Sequence, residues 1–335
     1  MIVHLDIDGE RKEKLIRISG TVDNQFALAG RWLRGNLHCH LEEGRWVDSA
    51  AGIYRDLGYD FLAGMDHDKT TPPDAPGELL VIPGAEMSPG HLLVFGLDDV
   101  SFLRARAGER AESTAEMIVR AKEEGGSCYL AHPLWGGWTR EELEILCDAG
   151  LDGMEIVNSS NWKSGDTVSS DQLWHMMLDP TTTLSAIGGD DAHGPDNVRD
   201  GDGIQAIARA RLGWTGVLAE EASVRGVLDA LRAGRTYASE GPEFRSVELR
   251  PDGKLIVRCS PCVACHFRGR QRGYGGRSAF APDEQGVAEE FVFDFAINGY
   301  RVKDHLIVIL EDESRRKAWL SPLRLDLSIQ ARSEG

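Results

Sequence analysis

The sequence predicts an α/β domain followed by an all-β domain, and three observations carry that expectation. From Trp32 onward an apolar strand, a polar loop and an amphipathic helix recur in turn, the pattern of parallel α/β architecture. After Gly241-Pro242 the pattern changes to short alternating strands with no helices between them. Within the first region nearly every apolar run has a His, Asp or Glu at or just beyond its end, and in a parallel barrel such ends share one face. The chain therefore divides into an N-terminal hairpin segment (1–30), the α/β domain (31–240) and a β-sandwich-like accessory domain (241–335).

Taken in order, Ile2 to Ser19 reads as two alternating strands around Asp8-Gly9, a pair suited to a tight turn. Seven candidate strands follow: near Leu37, Phe61 to Met65, Leu79 to Ile82, Leu92 to Phe95, Cys128 to Ala131, Met154 to Val157 and Leu184 to Ile187. Helices are expected from Asp48 to Leu57, from Ser170 to Leu178 and from Ser223 to Arg232. Ser113-Thr114-Ala115-Glu116 and Thr139-Arg140-Glu141-Glu142 have capping-box spacing, and Gly125-Gly126 and Gly150 stand where helix C-caps belong. In the β domain the spacing predicts Phe244 to Leu249 and Leu255 to Cys259 around Asp252-Gly253, then Phe291 to Ala296, His305 to Leu310 and a run near Leu323. Gly269 to Gly286 reads as a mobile glycine-rich loop interrupting that domain.

A chain of 335 residues with 41% hydrophobic content has ample material for a core. Its 37 basic and 54 acidic residues give a net charge of -17, which repels nucleic-acid backbones and anionic membranes, so non-specific nucleic-acid binding and membrane association are not expected. The first ten residues lack a basic and apolar leader pattern, no apolar run reaches membrane-spanning length, and six cysteines form no disulfide framework. The expected compartment is a reducing cytoplasm. Nothing in the pattern specifies an oligomeric state.

Six stretches concentrate the chemistry: Leu37-His38-Cys39-His40, Met65-Asp66-His67-Asp68, Pro83-Gly84-Ala85-Glu86, His91 before Leu92-Leu93-Val94-Phe95, Ala131-His132-Pro133 and Asp190-Asp191-Ala192-His193. Residues two apart on a strand face the same way, so His38 and His40 are positioned to share an ion with Cys39 turned away; Asp191 and His193 repeat that period. Any one of these residues alone is better read as an ordinary loop or surface polar group. Together they offer imidazole and carboxylate donors, which suit two or three divalent metal ions such as Mn, Zn or Fe. Glu86 is the natural bridging carboxylate of a metal pair, whose ions lie roughly 3.5–4 Å apart in hydrolytic centres.

In order and approximate spacing these motifs resemble those of the PHP (polymerase and histidinol phosphatase) superfamily of metal-dependent hydrolases, over about residues 35 to 240. Gly234-Arg235-Thr236-Tyr237-Ala238-Ser239-Glu240 and Lys317-Ala318-Trp319-Leu320-Ser321-Pro322 resemble the CehA/McbA-type branch, in which a β domain follows the barrel. The resemblance implies a distorted seven-stranded (β/α)7 barrel. It also implies that His38, His40, Glu86 and Asp191 hold one metal, that Glu86, His91 and His132 hold a second, and that His67 and His193 hold a third. Where the family has Ser-Asp-Gly after the first two histidines, this chain has Leu41-Glu42-Glu43-Gly44, with Glu43 as the best substitute, so a more weakly held third ion is expected.

The function expected is a phosphoesterase acting on a small-molecule ester through a metal-bridging hydroxide, with Asp191 at the reacting centre and His193, or His67 if the third metal is absent, protonating the leaving group. A carboxyl or carbamate ester hydrolase on the same site is the alternative, with Trp135, Trp138 and Trp162 as candidates for an apolar wall. A non-catalytic metal-binding scaffold is the competing class. Glu155 either orients a ligand histidine or is structural, and Lys69, Lys163 and Arg199 are either substrate contacts or solvated charges. Cys259, Cys262 and Cys265, despite their regular spacing, read as strand residues and not as a metal site.

Overall fold

The computed structural model describes residues 1–11, 14–42, 47–70, 79–104, 109–160, 168–193, 213–271, 273–282 and 286–331. The chain forms two units: Gly30–Met177 with Leu184–Glu240, and Met1–Ala29 with Leu178–Thr183 and Gly241–Gly335.

The first unit is mixed α/β. One sheet runs in the order Leu80–Ile82, Phe61–Gly64, Arg31–His40, Trp214–Ala219 and Thr236–Ser239; its first three strands are parallel and its last two pair antiparallel. The other runs Gly84–Met87, Leu92–Phe95, Ser127–Leu130 and Gly153–Asn158, with Ser185–Gly189 parallel to the last. All seven strands expected from the apolar runs are present. The all-parallel expectation needs correction, because Gly84–Met87 and Leu92–Phe95 are joined by only four residues. A parallel connection takes a dozen or more, so this pair is an antiparallel hairpin that puts Glu86 on a strand of its own.

Leu33, Leu37, Phe61, Met65, Ile82, Leu93, Phe95 and Tyr129 form a core into which helix Val224–Arg232 inserts Val227, Ala230 and Leu231. A Cβ on Gly35 would stand 2.1 Å from the Phe61 ring, so only glycine lets these neighbouring strands pack here. Thr139 caps helix Arg140–Asp148 in the expected reciprocal box with Glu142. The second box fails: its helix starts at Arg110, four residues early, with Ser113 and Thr114 buried inside it and the Thr114 hydroxyl donating to the Arg110 carbonyl. Gly125, Gly150 and Gly234 have the positive φ that helix ends require.

The second unit is antiparallel β. Strands Ile2–Arg11 and Lys14–Asp23 form a hairpin whose second strand pairs with Leu323–Ala331 from Ile16↔Ala331 to Asp23↔Arg324. The N-terminal segment, expected to stand apart from 241–335, thus shares a sheet with it. Asp8-Gly9 is not the turn; Gly9 lies within the first strand opposite Ile16, where an added Cβ would meet the Ala296 carbonyl oxygen at 2.3 Å. Much of the glycine-rich stretch expected as a mobile loop is likewise sheet. Ala264–Gln271 and Gly273–Phe280 form a hairpin, and a Cβ on Gly276 would approach the Phe267 carbonyl oxygen to 2.5 Å. The turn at Gly253 has φ +79, as its position demands. The run expected from Phe291 ends as a strand at Asp294, whose side chain caps the short helix Phe295–Asn298.

Among the described residues no helix is long and apolar enough to cross a membrane.

Candidate metal centre

Strand Arg31–His40 carries His38 and His40 to one point. Strand Gly84–Met87 brings Glu86 there, and the segment after Ser185–Gly189 brings Asp191, whose N–H donates to the His38 carbonyl at 2.8 Å. His38 Nε2 lies 3.4 Å from Glu86 Oε2 and 3.2 Å from Asp191 Oδ1, and His40 Nε2 lies 3.2 and 3.1 Å from the same two atoms. One ligand atom from each of these four residues falls within 4.8 Å of every other.

The second oxygen of Glu86 faces the other way. Its Oε1 meets His91 Nδ1 at 2.6 Å and lies 3.6 Å from His132 Nε2, which makes a second convergent group of Glu86, His91 and His132. The third group is His40, His67 and His193, so His40 takes part in two groups. Glu43, Lys163, Arg199 and Trp162 lie outside the described residues.

His91 (φ +53), His132 (φ +27) and Asp191 (φ +51) all occupy the left-handed region, which costs a residue other than glycine roughly 1–3 kcal/mol. Strain concentrated on three of the convergent side chains shows that the surrounding sheets hold them there. Part of that hold is visible. Asp66 accepts from the N–H groups of Leu41 and Glu42, fixing the turn beyond His40, and Asp68 accepts from Ser88 N–H beyond Glu86.

The electrostatics suit cations. Burial opposes the ionisation of Glu86 and Asp191, but His38 and the neighbouring hydrogen-bonding histidines outweigh it and hold both carboxyls well below the usual range. Burial likewise disfavours a charged His38, yet Asp191, Glu155 and Glu86 raise its proton affinity well above normal; His40 is raised too, against burial, by hydrogen bonds to Asp191 and Glu86. In this arrangement protons stand where positive charge is wanted. His38 Nε2 is fully buried and makes no hydrogen bond, and His132 Nδ1 is also buried without one. An orphaned imidazole nitrogen aimed between two carboxylates, within a mixed N/O donor set, fits a divalent ion. His67, half exposed, is shifted the other way by partial burial; the Glu86 charge opposes this, but His40, His193 and His91 add to it, so its neutral form is favoured.

Behind the convergent residues lies a polar layer that sequence reasoning missed or left undecided. Asn36 donates to Asp190 and to the Tyr54 oxygen, and Tyr54 also donates to Asp190, whose pKa burial pushes up to about 6 against these bonds. Asn36 Oδ1 in turn accepts from His38 N–H. Cys39 points into this layer, away from the ligand atoms, and burial raises its thiol pKa well above normal, with the Asp190 charge adding to it. Glu155 is buried against His38, the His132 backbone and Asn158. Asn36 sits two residues before His38, so the period that marked the histidines also marked it. Tyr54 had no such signal.

Of the candidate wall, Trp135 is 58% exposed, with its ring 4.9 Å from that of His132 and 5.9 Å from that of His91. Trp138 is buried instead under the Arg110 guanidinium, 3.9 Å from its ring centre, and so is structural. Lys69 is exposed on the segment after His67. Cys259, Cys262 and Cys265 are buried and belong to none of the convergent groups found among the described residues.

No family model matches the chain, and no curated protein matches it. Among solved structures it is similar to a two-domain protein from Bacteroides vulgatus ATCC 8482, described as containing a predicted PHP-like metal-dependent phosphoesterase, with 15% identity and a TM-score of 0.45 over 86% of this chain and 94% of that one.

Proposed function

We propose that this protein is a metal-dependent phosphoesterase of the PHP type, in its CehA/McbA-like branch, with the two sheets of the first unit forming the halves of a distorted barrel. The observation that carries the reading is the division of labour within Glu86: Oε2 faces His38 and His40 while Oε1 faces His91 and His132. One carboxylate serving two donor groups is the arrangement a metal pair needs. Divalent cations such as Mn, Zn or Fe, when bound, would polarise the ester and lower the pKa of water.

The chain's own residues do the rest. Glu86 and Asp191 are held ionised, so both oxygens of each are available as donors. His193, at the half-exposed rim 3.5 Å from Asp191, is the residue assigned to protonate the leaving group. Exposed Trp135 favours a second reading, a carboxyl or carbamate ester whose apolar part rests on the indole. Metal analysis of protein purified without chelator, followed by a screen of phosphate, carboxyl and carbamate esters, tests both. Turnover of phosphomonoesters with competitive inhibition by inorganic phosphate supports the first. Hydrolysis of neutral esters alone, unaffected by phosphate, replaces it with the second.

A further inference from the structure

We infer that Glu155 is a positioning residue that sets one histidine in each of two metal groups at once; the inference rests on the metal-centre reading above. Glu155 lies on strand Gly153–Asn158, is 1% exposed and, unlike Glu86, belongs to no convergent group. Its two oxygens have different tasks. Oε1 lies 3.2 Å from His38 Nδ1, and Oε2 accepts the His132 backbone N–H at 2.9 Å and the Asn158 amide at 2.9 Å. The same Asn158 amide nitrogen is 3.4 Å from Asp191 Oδ2.

A carboxylate only accepts, so the first contact places the His38 ring proton on Nδ1 and leaves the Nε2 lone pair toward Glu86 and Asp191. The second contact anchors His132 by its backbone at a strained φ of +27, which the chain would not adopt unaided. A buried carboxylate without partners is costly, and its partners here are two metal-group histidines and an asparagine that reaches a third donor. The packing preserves the approach. A Cβ on Gly189 would stand 2.6 Å from His38 Cβ and 2.7 Å from Glu155 Oε1, so the strand crossing this pair has room only for glycine.

Glutamine at 155 has the same shape but cannot perform both tasks. If its oxygen faces the two donors, His132 N–H and the Asn158 amide, its NH2 faces His38 Nδ1. That nitrogen must then accept, and the ring proton moves to Nε2, where it blocks coordination. If the amide is turned round, the His132 N–H loses its acceptor.

The test is zinc affinity by chelator competition in the wild type and E155Q, with long-range 1H–15N NMR of the zinc-loaded wild type. Zinc binding weaker by about 10- to 100-fold in a folded E155Q, and a wild-type His38 that carries its proton on Nδ1 and coordinates through Nε2, are expected. Unchanged zinc affinity in E155Q, or His38 coordination through Nδ1, overturns the inference while the metal centre stands. A wild type that binds no zinc overturns both. Neither readout needs turnover.

Discussion

The imidazole of His193 stacks on that of His40, with ring centroids 3.9 Å apart and planes within 8°. His193 pairs with His40 through a two-residue strand, so the stack is set by backbone register. His40 is thereby shared between the carboxylate-rich group and the group it forms with His67 and His193, whose three members are all imidazoles, with Glu86 Oε2 3.3 Å from His67 Nδ1 and Asp191 Oδ1 3.5 Å from His193 Nε2. Imidazoles supply no negative charge of their own, so a cation held by this group at a half-exposed rim gains less than one coordinated directly by buried Glu86. His67→Ala should therefore cost less bound metal than His132→Ala, as read by metal content after dialysis. Three equally tight ions per chain would contradict this.

Glu86→Ala should remove most bound metal and abolish hydrolysis while leaving the circular dichroism spectrum folded. Two groups lose a donor through one substitution, and histidines gathered by a shared anion are left facing one another. Turnover retained at full metal loading would refute the bridging role.

Metal affinity should fall as the solution is acidified. His38 and His40 have raised proton affinity, so a cation must displace protons that these rings still hold near neutral pH. The sign for folding is opposite in the metal-free protein. Raised histidines add stability that is fully present below their unfolded pKa, about 6.5, and is lost as pH rises through the folded value. Calorimetric titration in two buffers of different ionisation enthalpy should show protons released on binding; zero release would sink the argument.

Trp135→Ala should raise KM by about two- to tenfold for esters with an aryl or nucleobase group and leave simple alkyl esters and metal content unchanged, since one aromatic contact contributes about 0.5–1.5 kcal/mol. An equal effect on every substrate would mean that the indole supports His132 and His91 and does not contact the ester.

Replacing Cys259, Cys262 and Cys265 together with alanine should leave metal content unchanged, because none of the three joins a convergent group. Loss of one equivalent of zinc or iron would show otherwise. Thermal stability should fall, since all three are buried.

The residues of the convergent groups were legible because each lies beside an apolar run, His91 just before one, His38 within its strand and most others at or beyond a strand end, and that is a local signal. The helix near Thr139 was legible for the same reason, as its cap and box lie within four residues. What escaped depended on contacts distant in sequence. Gly9 and Gly276 carry the residue type of a turn, yet each is glycine because a Cβ there would clash with a carbonyl oxygen, that of distant Ala296 at Gly9 and that of Phe267 on the paired strand at Gly276. The antiparallel hairpin holding Glu86 was hidden because Pro83 separates two short runs that read as one strand and a loop. Glu155 carried the ambiguity of every buried carboxylate, and only its partners, 117 positions back at His38 and 23 back at His132, resolve it.

The pairing of Lys14–Asp23 with Leu323–Ala331 has a consequence for the order in which the molecule is made. A ribosome releases the first hairpin early, but the strand that covers its open edge comes some three hundred residues later, after the whole α/β unit. Contacts of such long sequence separation form slowly, and an uncovered strand edge is a template for pairing with other chains. The α/β unit, whose strands are mostly joined over short distances, is free to fold during that wait. The β unit depends on a strand some three hundred residues beyond that hairpin, so loss of Leu323–Ala331 would leave the 2–23 hairpin with an exposed edge and make aggregation, before any loss of the metal centre, the first visible defect.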